Sequence, residues 1–275
     1  NFVLHEMGQP LHAFDAGKIG TGEVRVKCLP NGTKFVTLDG EERELHGEDL
    51  MICDGDSPMC IAGVFGGLNS GVSGETTSVF LESAYFKPVS VRKTAKRHGL
   101  NTDASFRFER GIDPEITVYA LKRAALLIQE LAGGVTASPI LEHYPNKLEG
   151  FEVTLNLDRL NALAGTTIEP EVVEAILEGL DIKIVSKNNR TIGLAVPAYR
   201  VDVQREADVI EEVLRIYGFD NIPLPGKMAI SITHSDEVNR DALVNRVSDY
   251  LVSKGFLEGM SNSQTKREHY ENHPA

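Results

Sequence analysis

The sequence predicts an α+β fold, with a β-rich first part that carries one long packed helix and a smaller α/β second part. Short apolar stretches that alternate with charged residues are separated by Asn-Gly or Asp-Gly turn signals at residues 31–32, 39–40 and 54–55, a pattern typical of antiparallel strands. Residues 119–131 show the apolar spacing of a helix instead. The polar stretch 145–150 then separates two self-sufficient apolar patterns, which favours a domain boundary there.

The long helix has signals at both ends. Asp113-Pro114 is a favourable N-cap and first-turn pair, so we expect the helix to begin there. Gly133 is expected to end it, because glycine readily adopts the left-handed conformation that follows a helix. The apolar face is expected to consist of Tyr119, Leu121, Ala124, Leu127, Ile128 and Leu131.

Shorter patterns predict the remaining elements. Strands are expected at residues 24–28, 35–38, 50–53, 59–65 and 79–85, and in the second part at 153–155, 182–185 and 192–196. Helices of the second part are expected at residues 158–164, 170–180 and 205–217, and an amphipathic helix follows at 241–253. Phe106 and Phe108, separated by one residue, predict a further strand with one buried face.

The composition is that of a globular protein with room for two domains. The chain has 275 residues, of which 41% are hydrophobic and 25% charged, and no apolar run approaches the roughly 18 residues that a membrane helix needs. The net charge of −12, from 28 basic and 40 acidic residues, disfavours broad nonspecific binding of nucleic acid. It does not exclude one local contact.

The ends of the chain and its cysteines suggest an origin and a compartment. Because the chain begins with Asn1 and shows no signal peptide, we expect a fragment of a longer protein. The three cysteines, Cys28, Cys53 and Cys60, lack the spacing of a disulfide framework or a zinc site. A reducing cytosol is therefore the expected location.

The densest polar segment covers residues 97–111. Nine of its fifteen residues are charged, hydroxyl, amide or imidazole side chains, and small residues such as Gly99 and Ala104 would let a ligand approach the backbone. A solvated loop is the alternative. The glycine-rich bend at residues 63–67 is neither a P-loop nor a dinucleotide fingerprint, and a simple tight turn is its alternative.

Two single residues are candidates for chemistry in the first part. His12 lies between apolar residues, where a histidine is most often a structural hydrogen-bonding group. Glu82 lies in a strand with few other polar groups, and a buried carboxylate needs a cation, backbone donors or a ligand hydroxyl as its partner. The alternative for Glu82 is an edge position that faces water.

Four carboxylates in the second part form an acidic set, which comprises Asp202, Asp208, Glu211 and Glu212. Asp208 is three and four residues before the two glutamates, so all three lie near one another on a helix. Their repulsion would be relieved by a cation, and oxygen ligands suit Mg²⁺. The alternative is a solvated acidic face near a helix N-terminus, which the helix dipole favours.

Several segments together closely resemble the β subunit of bacterial phenylalanyl-tRNA synthetase. They are residues 7–15, 63–67, 81–84, 97–114, 199–202 and 211–218. The resemblance implies an editing module at residues 1–148, a winged-helix-like module at 151–225 and the truncated start of a synthetase-like core at 226–275. It also implies that the first module hydrolyses tyrosine misattached to tRNA(Phe), because a phenylalanine pocket cannot strongly reject an analogue that only adds a hydroxyl.

The resemblance assigns roles to five residues of the first module. Glu82 is expected to accept a hydrogen bond from the tyrosine hydroxyl, and Gly66 and Ala104 to leave room for the ring. His12 and Thr102 are expected to orient the ester and a hydrolytic water. Catalysis in this family uses positioned water without a covalent nucleophile.

The resemblance also implies partners and cofactors. The acidic set is associated with Mg²⁺ where the α subunit docks in an α2β2 heterotetramer, and the α subunit uses ATP to charge tRNA(Phe) in the cytoplasm. This chain should therefore not charge tRNA itself, although it should contact the tRNA(Phe) 3′ end and no membrane. Two alternatives stay open, namely a binding module without chemistry and a scaffold that docks the α subunit.

Overall fold

The computed structural model describes residues 1–224, 226 and 239–271. The chain divides into two compact units, residues 1–223 and 224–275. Helices and strands are mixed, and the predicted α+β class is confirmed. Within the described residues, no helix is both long and apolar enough to span a membrane.

The first part (residues 1–148) contains eight strands and four helices among its described elements. The strands are β1 (Leu11–Asp15), β2 (Val24–Cys28), β3 (Lys34–Val36), β4 (Glu42–Glu44), β5 (Leu50–Asp54), β6 (Ser57–Ile61), β7 (Phe65–Gly66) and β8 (Val79–Ser83). The helices are α1 (Phe2–Met7), α2 (Pro88–His98), α3 (Asp103–Phe108) and α4 (Thr117–Ala132). Residues 134–150 contain no helix or strand.

Three antiparallel sheets organise the first part. Strands β2, β5, β6 and β7 form a four-stranded sheet in that order, while β1 pairs with β8 and β3 with β4. Gly32, Gly40 and Gly55 all have positive φ angles, which confirms the three predicted turns. The core of this part is built on apolar side chains such as Met51 and Ile61, neither of which is exposed.

The strand predicted around Phe106 and Phe108 is wrong, because these residues lie in helix α3. The side chain of Thr102 accepts a hydrogen bond from the Ser105 N–H, and the Ser105 hydroxyl accepts one from the Thr102 N–H, so the helix begins with a complete capping box. Phe108 is buried and Phe106 is 47% exposed. The local capping interactions therefore outweigh the two-residue alternation.

Helix α4 begins later than predicted and buries only part of the predicted apolar face. The side chain of Asp113 accepts a hydrogen bond from the Glu115 N–H in a local turn, and the helix begins only at Thr117. Ala124 and Leu127 of that face pack against α1, whereas Tyr119 and Leu131 are 65% and 82% exposed because the buried stripe is centred on Ala120 and Ala124. The predicted end is confirmed, since Gly133 has a φ of 68°.

The second part (residues 151–225) has its own buried cluster. Strands β9 (Phe151–Asn156), β10 (Lys183–Lys187) and β11 (Thr191–Val196) form an antiparallel sheet in the order β10-β11-β9. Helices α5 (Leu157–Ala164), α6 (Pro170–Gly179) and α7 (Glu206–Tyr217) complete this part, close to the predicted bounds. Apolar side chains from the sheet and the helices, including Leu155, Leu177 and Ile192, pack together there without exposure.

The second unit contains helix α8 (Arg240–Ser253), which confirms the helix predicted at 241–253. The side chain of Asn239 caps it by accepting hydrogen bonds from the Asp241 and Ala242 N–H groups. The synthetase-like core at 226–275 stays a prediction, and residues 227–238 and 272–275 of it lie outside the described residues.

Candidate functional site

Strands β1 and β8 bring His12 and Glu82 together. The two residues are direct partners in the antiparallel register, so their side chains project from the same face of the two-stranded sheet. Gly66 of strand β7 lies against the imidazole, because a Cβ atom at Gly66 would be 2.9 Å from Cε1 of His12. Three of the five predicted residues of the editing module therefore meet at one place.

The absence of a side chain at Gly66 leaves room for the imidazole ring of His12. Any side chain at this position would push the ring of His12 aside, since 2.9 Å is shorter than carbon atoms approach without displacement. Across the β6–β7 pair, Gly66 is the register partner of Cys60, whose Sγ donates a weak hydrogen bond to the Phe65 carbonyl. Burial and the neighbouring charge of Glu82 raise the pKa of the Cys60 thiol well above its ordinary value, so Cys60 lines the site as a neutral group.

Glu82 carries a carboxyl group that nothing in the described chain satisfies. Its oxygens have no hydrogen-bond or ion-pair partner among the described residues, and because the side chain is partly exposed they remain in contact with water. The protein packed around it disfavours the charged form and raises the pKa of the carboxyl from 4.5 to about 7. Such a group is ready to accept a hydrogen bond from a ligand.

His12 presents a second unsatisfied group. Its Nε2 atom is buried and has no hydrogen-bond partner in the described residues. Burial lowers the pKa of the imidazole below its ordinary 6.5, so the ring is neutral at neutral pH. The ring of Phe14 packs edge-on against it with centroids 4.4 Å apart, which fixes its orientation.

Thr102 and Ala104 belong to the first turn of α3, which is tethered close to Gly66. The Thr102 hydroxyl donates to the carbonyl of Val64, at 2.8 Å, and accepts from the Ser105 N–H, at 3.0 Å. Because its one proton is used in this way, Thr102 holds the helix in place and retains a single acceptor site for a ligand. Ala104 is partly buried against the core of the first part.

A buried polar network fixes the segment that leads into this turn. The carboxylate of Asp49 is fully buried and accepts hydrogen bonds from Thr94, Arg97 and His98 of helix α2 and from the His46 N–H. Burial alone would raise the pKa of Asp49, but these donors outweigh it and hold the pKa below its ordinary value. The C-terminal end of α2, and with it the loop to Thr102, is thereby anchored.

The acidic set of the second part is not gathered around a cation site. Glu212 accepts two hydrogen bonds from Arg215, at 2.8 and 2.9 Å, and one from Arg200 at 3.2 Å. Asp208 is bound by Arg205, which with two backbone N–H groups lowers the pKa of its carboxyl to about 2. Asp202 and Glu211 are exposed and form no ion pair within the described chain.

The expected repulsion among these carboxylates is thus relieved by guanidinium groups. The described residues contain no group of three or more His, Cys, Asp or Glu side chains that could hold a metal ion. An apolar groove of about 460 Å³ lies elsewhere in the second part, between α6 and Ile216 of α7, and it gathers none of the predicted site residues.

Sequence reasoning did not single out three groups at or near the site. Cys60 lies beside Gly66 and Glu82, and Asp49 anchors α2. The fully buried side chain of Gln9 donates to the carbonyl of Ala84, one residue beyond β8, and so ties the start of β1 to its partner strand. The position of Gln9 between a glycine and a proline could have indicated a structural role for its amide. No neighbouring residue in the sequence indicates the long-range contacts of Cys60 and Asp49.

The two parts of the chain match two known domain families in sequence order. Residues 1–133 match the B3/4 domain, and residues 153–219 match the tRNA synthetase B5 domain. The candidate site made by His12, Gly66 and Glu82 lies entirely within the first of these domains. The chain thus joins a region similar to the B3/4 domain to a region similar to the tRNA synthetase B5 domain.

Curated proteins that are similar along nearly the whole chain give a more specific relationship. The chain is 52% identical over 272 residues to the phenylalanine–tRNA ligase beta subunit of Bacteroides fragilis, 51% over 273 to that of Porphyromonas gingivalis and 46% over 258 to that of Protochlamydia amoebophila. These alignments cover 98%, 98% and 94% of this chain but 33%, 33% and 32% of the relatives. The chain is similar to phenylalanine–tRNA ligase beta subunits along nearly its whole length and spans about a third of the length of these relatives.

One solved structure is also similar. It is an N-terminal fragment of the phenylalanyl-tRNA synthetase beta subunit from Pyrococcus horikoshii, which aligns with 78% of this chain and 62% of its own chain at 18% identity and a TM-score of 0.41.

Proposed function

We propose that the first part is a hydrolytic editing site that removes tyrosine from mischarged tRNA(Phe). The observation that carries the proposal is the pairing, on one face of the β1–β8 ribbon beside Gly66, of the partly exposed Glu82 carboxyl and the buried Nε2 of His12, neither of which has a partner among the described residues. A ligand would satisfy both groups if its hydroxyl donated a hydrogen bond to Glu82 and the water that attacks its ester donated one to His12.

Glu82 provides the discrimination in this proposal. An ionised carboxylate gains a charge-assisted hydrogen bond from the tyrosine hydroxyl, whereas the bare ring edge of phenylalanine would leave the carboxylate unsatisfied. An unsatisfied charged group costs about 1–3 kcal/mol when water reaches it in part. This range corresponds to roughly tenfold to hundredfold discrimination, the kind that separates analogues differing by a hydroxyl when the site binds the hydroxyl.

His12 provides the hydrolytic step. As a neutral imidazole, it can accept a proton at Nε2 from a water that attacks the ester carbonyl, and the released ribose oxygen then takes up a proton. The products are free tyrosine and the intact tRNA 3′ end. A covalent route through Cys60 is disfavoured because the raised pKa keeps its thiol protonated. Thr102 acts in this scheme by holding Ala104 and the α3 turn beside Gly66.

The preference for tyrosine over phenylalanine should increase with pH. Glu82 is the discriminating acceptor only when ionised, and its pKa is about 7. In the assembled enzyme, the ratio of deacylation rates for Tyr-tRNA(Phe) and Phe-tRNA(Phe) should rise from pH 6 to pH 8. Taking the ratio cancels effects of His12 and of hydroxide that both substrates share. Glu82→Gln should lower the ratio at pH 8 by about tenfold or more and make it independent of pH.

The same variant gives a control that needs no substrate. A carboxyl whose pKa is about 7 in the folded chain and 4.5 otherwise binds more protons when folded. The contribution of Glu82 to the free energy of unfolding should therefore fall as pH rises from about 4.5 to 7 and stay level above that. Glu82→Gln should be more stable than the wild type at pH 8, with a smaller difference at pH 5. The role of Glu82 in selection would be contradicted if the wild-type ratio of Tyr-tRNA(Phe) to Phe-tRNA(Phe) deacylation did not change with pH while the expected stability difference between Glu82→Gln and the wild type was observed.

Two other functions remain distinguishable. If the site only bound the amino acid or the tRNA end, the wild-type enzyme would bind Tyr-tRNA(Phe) without releasing tyrosine, and His12→Ala would not change that. If the chain served only to dock an α subunit, substitution of the acidic set would abolish its co-purification with that subunit. The wild-type enzyme would then show no deacylation that depends on the first part. Release of tyrosine by the wild type and its loss in His12→Ala support editing.

A magnesium site shared with an α subunit remains a proposal for the assembled enzyme alone. Within this chain, Asp208 and Glu212 already bind guanidinium groups, so a metal would have to displace Arg205 and Arg215. We therefore expect calorimetric titration of the chain with Mg²⁺ to show no tight binding, and a chelator to leave the thermal midpoint unchanged. Tight binding by the wild-type chain would contradict this. The double variant Arg205→Ala, Arg215→Ala tests whether freeing the carboxylates strengthens binding.

A further inference from the structure

Helix α2 concentrates positive charge in an acidic chain. Between Lys87 and His98 the sequence contains five lysine or arginine residues and no aspartate or glutamate, whereas the whole chain has a net charge of −12. Arg97 is one of the five, and it forms ion pairs with Glu48 and Asp49. The other cations of α2 are not part of the buried hydrogen-bond network around Asp49, so that network does not account for them.

Three of the cations form what we call the basic face, which consists of Arg92, Lys93 and Lys96. They are exposed and lie on the side of α2 opposite to its buried residues Val91 and Ala95. None of the three pairs with a carboxylate of the described chain. Arg92 and Lys96, one turn apart, repel each other slightly, and of the three cations only Lys96 lies in the last turn, where the helix dipole favours a positive charge.

The basic face is rigidly connected to the candidate site. Helix α2 ends at His98 and is capped by Gly99, and three residues after this glycine Thr102 begins the turn that carries Ala104. The Asp49 network anchors the last turn of α2, and Arg43 donates to the carbonyl of His98 at 2.9 Å. A ligand bound on the basic face is therefore held at a constant position relative to the site.

We propose that the basic face of α2 binds the phosphate backbone of the RNA whose 3′ end enters the site of His12 and Glu82. The inference rests on the proposed function, because it identifies how that substrate is held. Lysine and arginine bind phosphates without reading sequence, and they position a strand for chemistry elsewhere. In a chain of this net charge the remaining surface repels RNA, so a local group of cations is required for the approach.

The test is a charge reversal with a matched control in the assembled heterotetrameric enzyme. Lys93→Glu, Lys96→Glu changes the basic face, and Lys122→Glu, Lys147→Glu makes the same change in net charge at two exposed lysines outside α2. The measurements are KM and kcat for deacylation of Tyr-tRNA(Phe) at several salt concentrations, binding of uncharged tRNA(Phe), and hydrolysis of 2′(3′)-O-tyrosyl-adenosine, which lacks the backbone.

We expect the α2 variant to raise KM and weaken tRNA binding by about tenfold or more at low salt, with kcat nearly unchanged. Its dependence of log KM on log salt should be less steep by roughly 0.7 to 0.9 for each phosphate that the variant no longer binds. Hydrolysis of tyrosyl-adenosine should equal that of the wild type. The control variant should match the wild type in all three measurements.

Other results overturn the inference and separate it from the proposed function. Equal KM and tRNA binding in the two variants would show that the basic face does not hold RNA, even if the enzyme edits normally. Loss of subunit assembly in the α2 variant alone would show that the face binds an acidic protein surface. If the wild type releases no tyrosine, the proposed function fails, and direct tRNA binding still decides whether α2 contacts RNA.

Discussion

Replacing Ala104 with Trp is expected to abolish hydrolysis of Tyr-tRNA(Phe), with a loss of about a hundredfold or more. Ala104 is partly buried in the first turn of α3, and that turn is tethered to Val64, so it cannot retreat to make room for an indole. The large ring should fill the space that the amino acid ring needs. Deacylation of Phe-tRNA(Phe) should be lost as well, since both substrates need the same space.

The measurement compares deacylation and aminoacylation in the assembled enzyme. Aminoacylation should remain close to the wild-type rate, because the proposed charging site is on the α subunit. Asn101→Trp introduces the same ring at an exposed position just before the tether and should edit normally. If Ala104→Trp clears Tyr-tRNA(Phe) at the wild-type rate, the amino acid does not bind at this turn.

Replacing Gly67 with Ala is expected to lower the stability of the first unit by about 3 kcal/mol. A Cβ atom there would be 2.6 Å from the carbonyl oxygen of Met59 and 2.7 Å from the ring of Phe35. One obstacle is backbone of the neighbouring strand and the other is a buried ring, so neither can move without disturbing the core. Strand β7, which carries Gly66, would shift with it.

Thermal or denaturant unfolding of the two matched variants tests this expectation. Gly74→Ala has no atom within 4 Å of the added methyl group and should change stability by only a few tenths of a kcal/mol. Equal stability of the two variants would mean that the β6–β7 pair yields more easily than its packing indicates.

Local signals in the sequence predicted much of the fold. The three turn glycines, the end of α4 at Gly133 and the start of α6 at Pro170 are each determined by residues within a few positions of one another. The errors came from choosing between competing local signals. At α3, the hydroxyl groups of Thr102 and Ser105 satisfy the first N–H groups of a helix, and this outweighs the alternation of two phenylalanines.

The candidate site was less accessible to such reasoning. The spacing of residues in the sequence does not specify that His12 pairs with Glu82, because that register is set by long-range packing of β1 on β8. Only the resemblance to a family connected the two. For the acidic set, the omission was local, since Arg205 and Arg215 each lie three residues from the carboxylate they bind.

The pairing of β1 with β8 has a consequence during synthesis of the protein. Strand β1 is synthesised before its partner β8, which follows only after all of β2 to β7, so at about 5–20 residues per second β1 waits several seconds unpaired. During that time the four-stranded sheet can form from strands that are close in sequence, while the edge of β1 stays open to other chains. His12 and Glu82 are thus brought together only after β2 to β7 have been synthesised, and a translational pause before β8 should increase aggregation of the nascent chain.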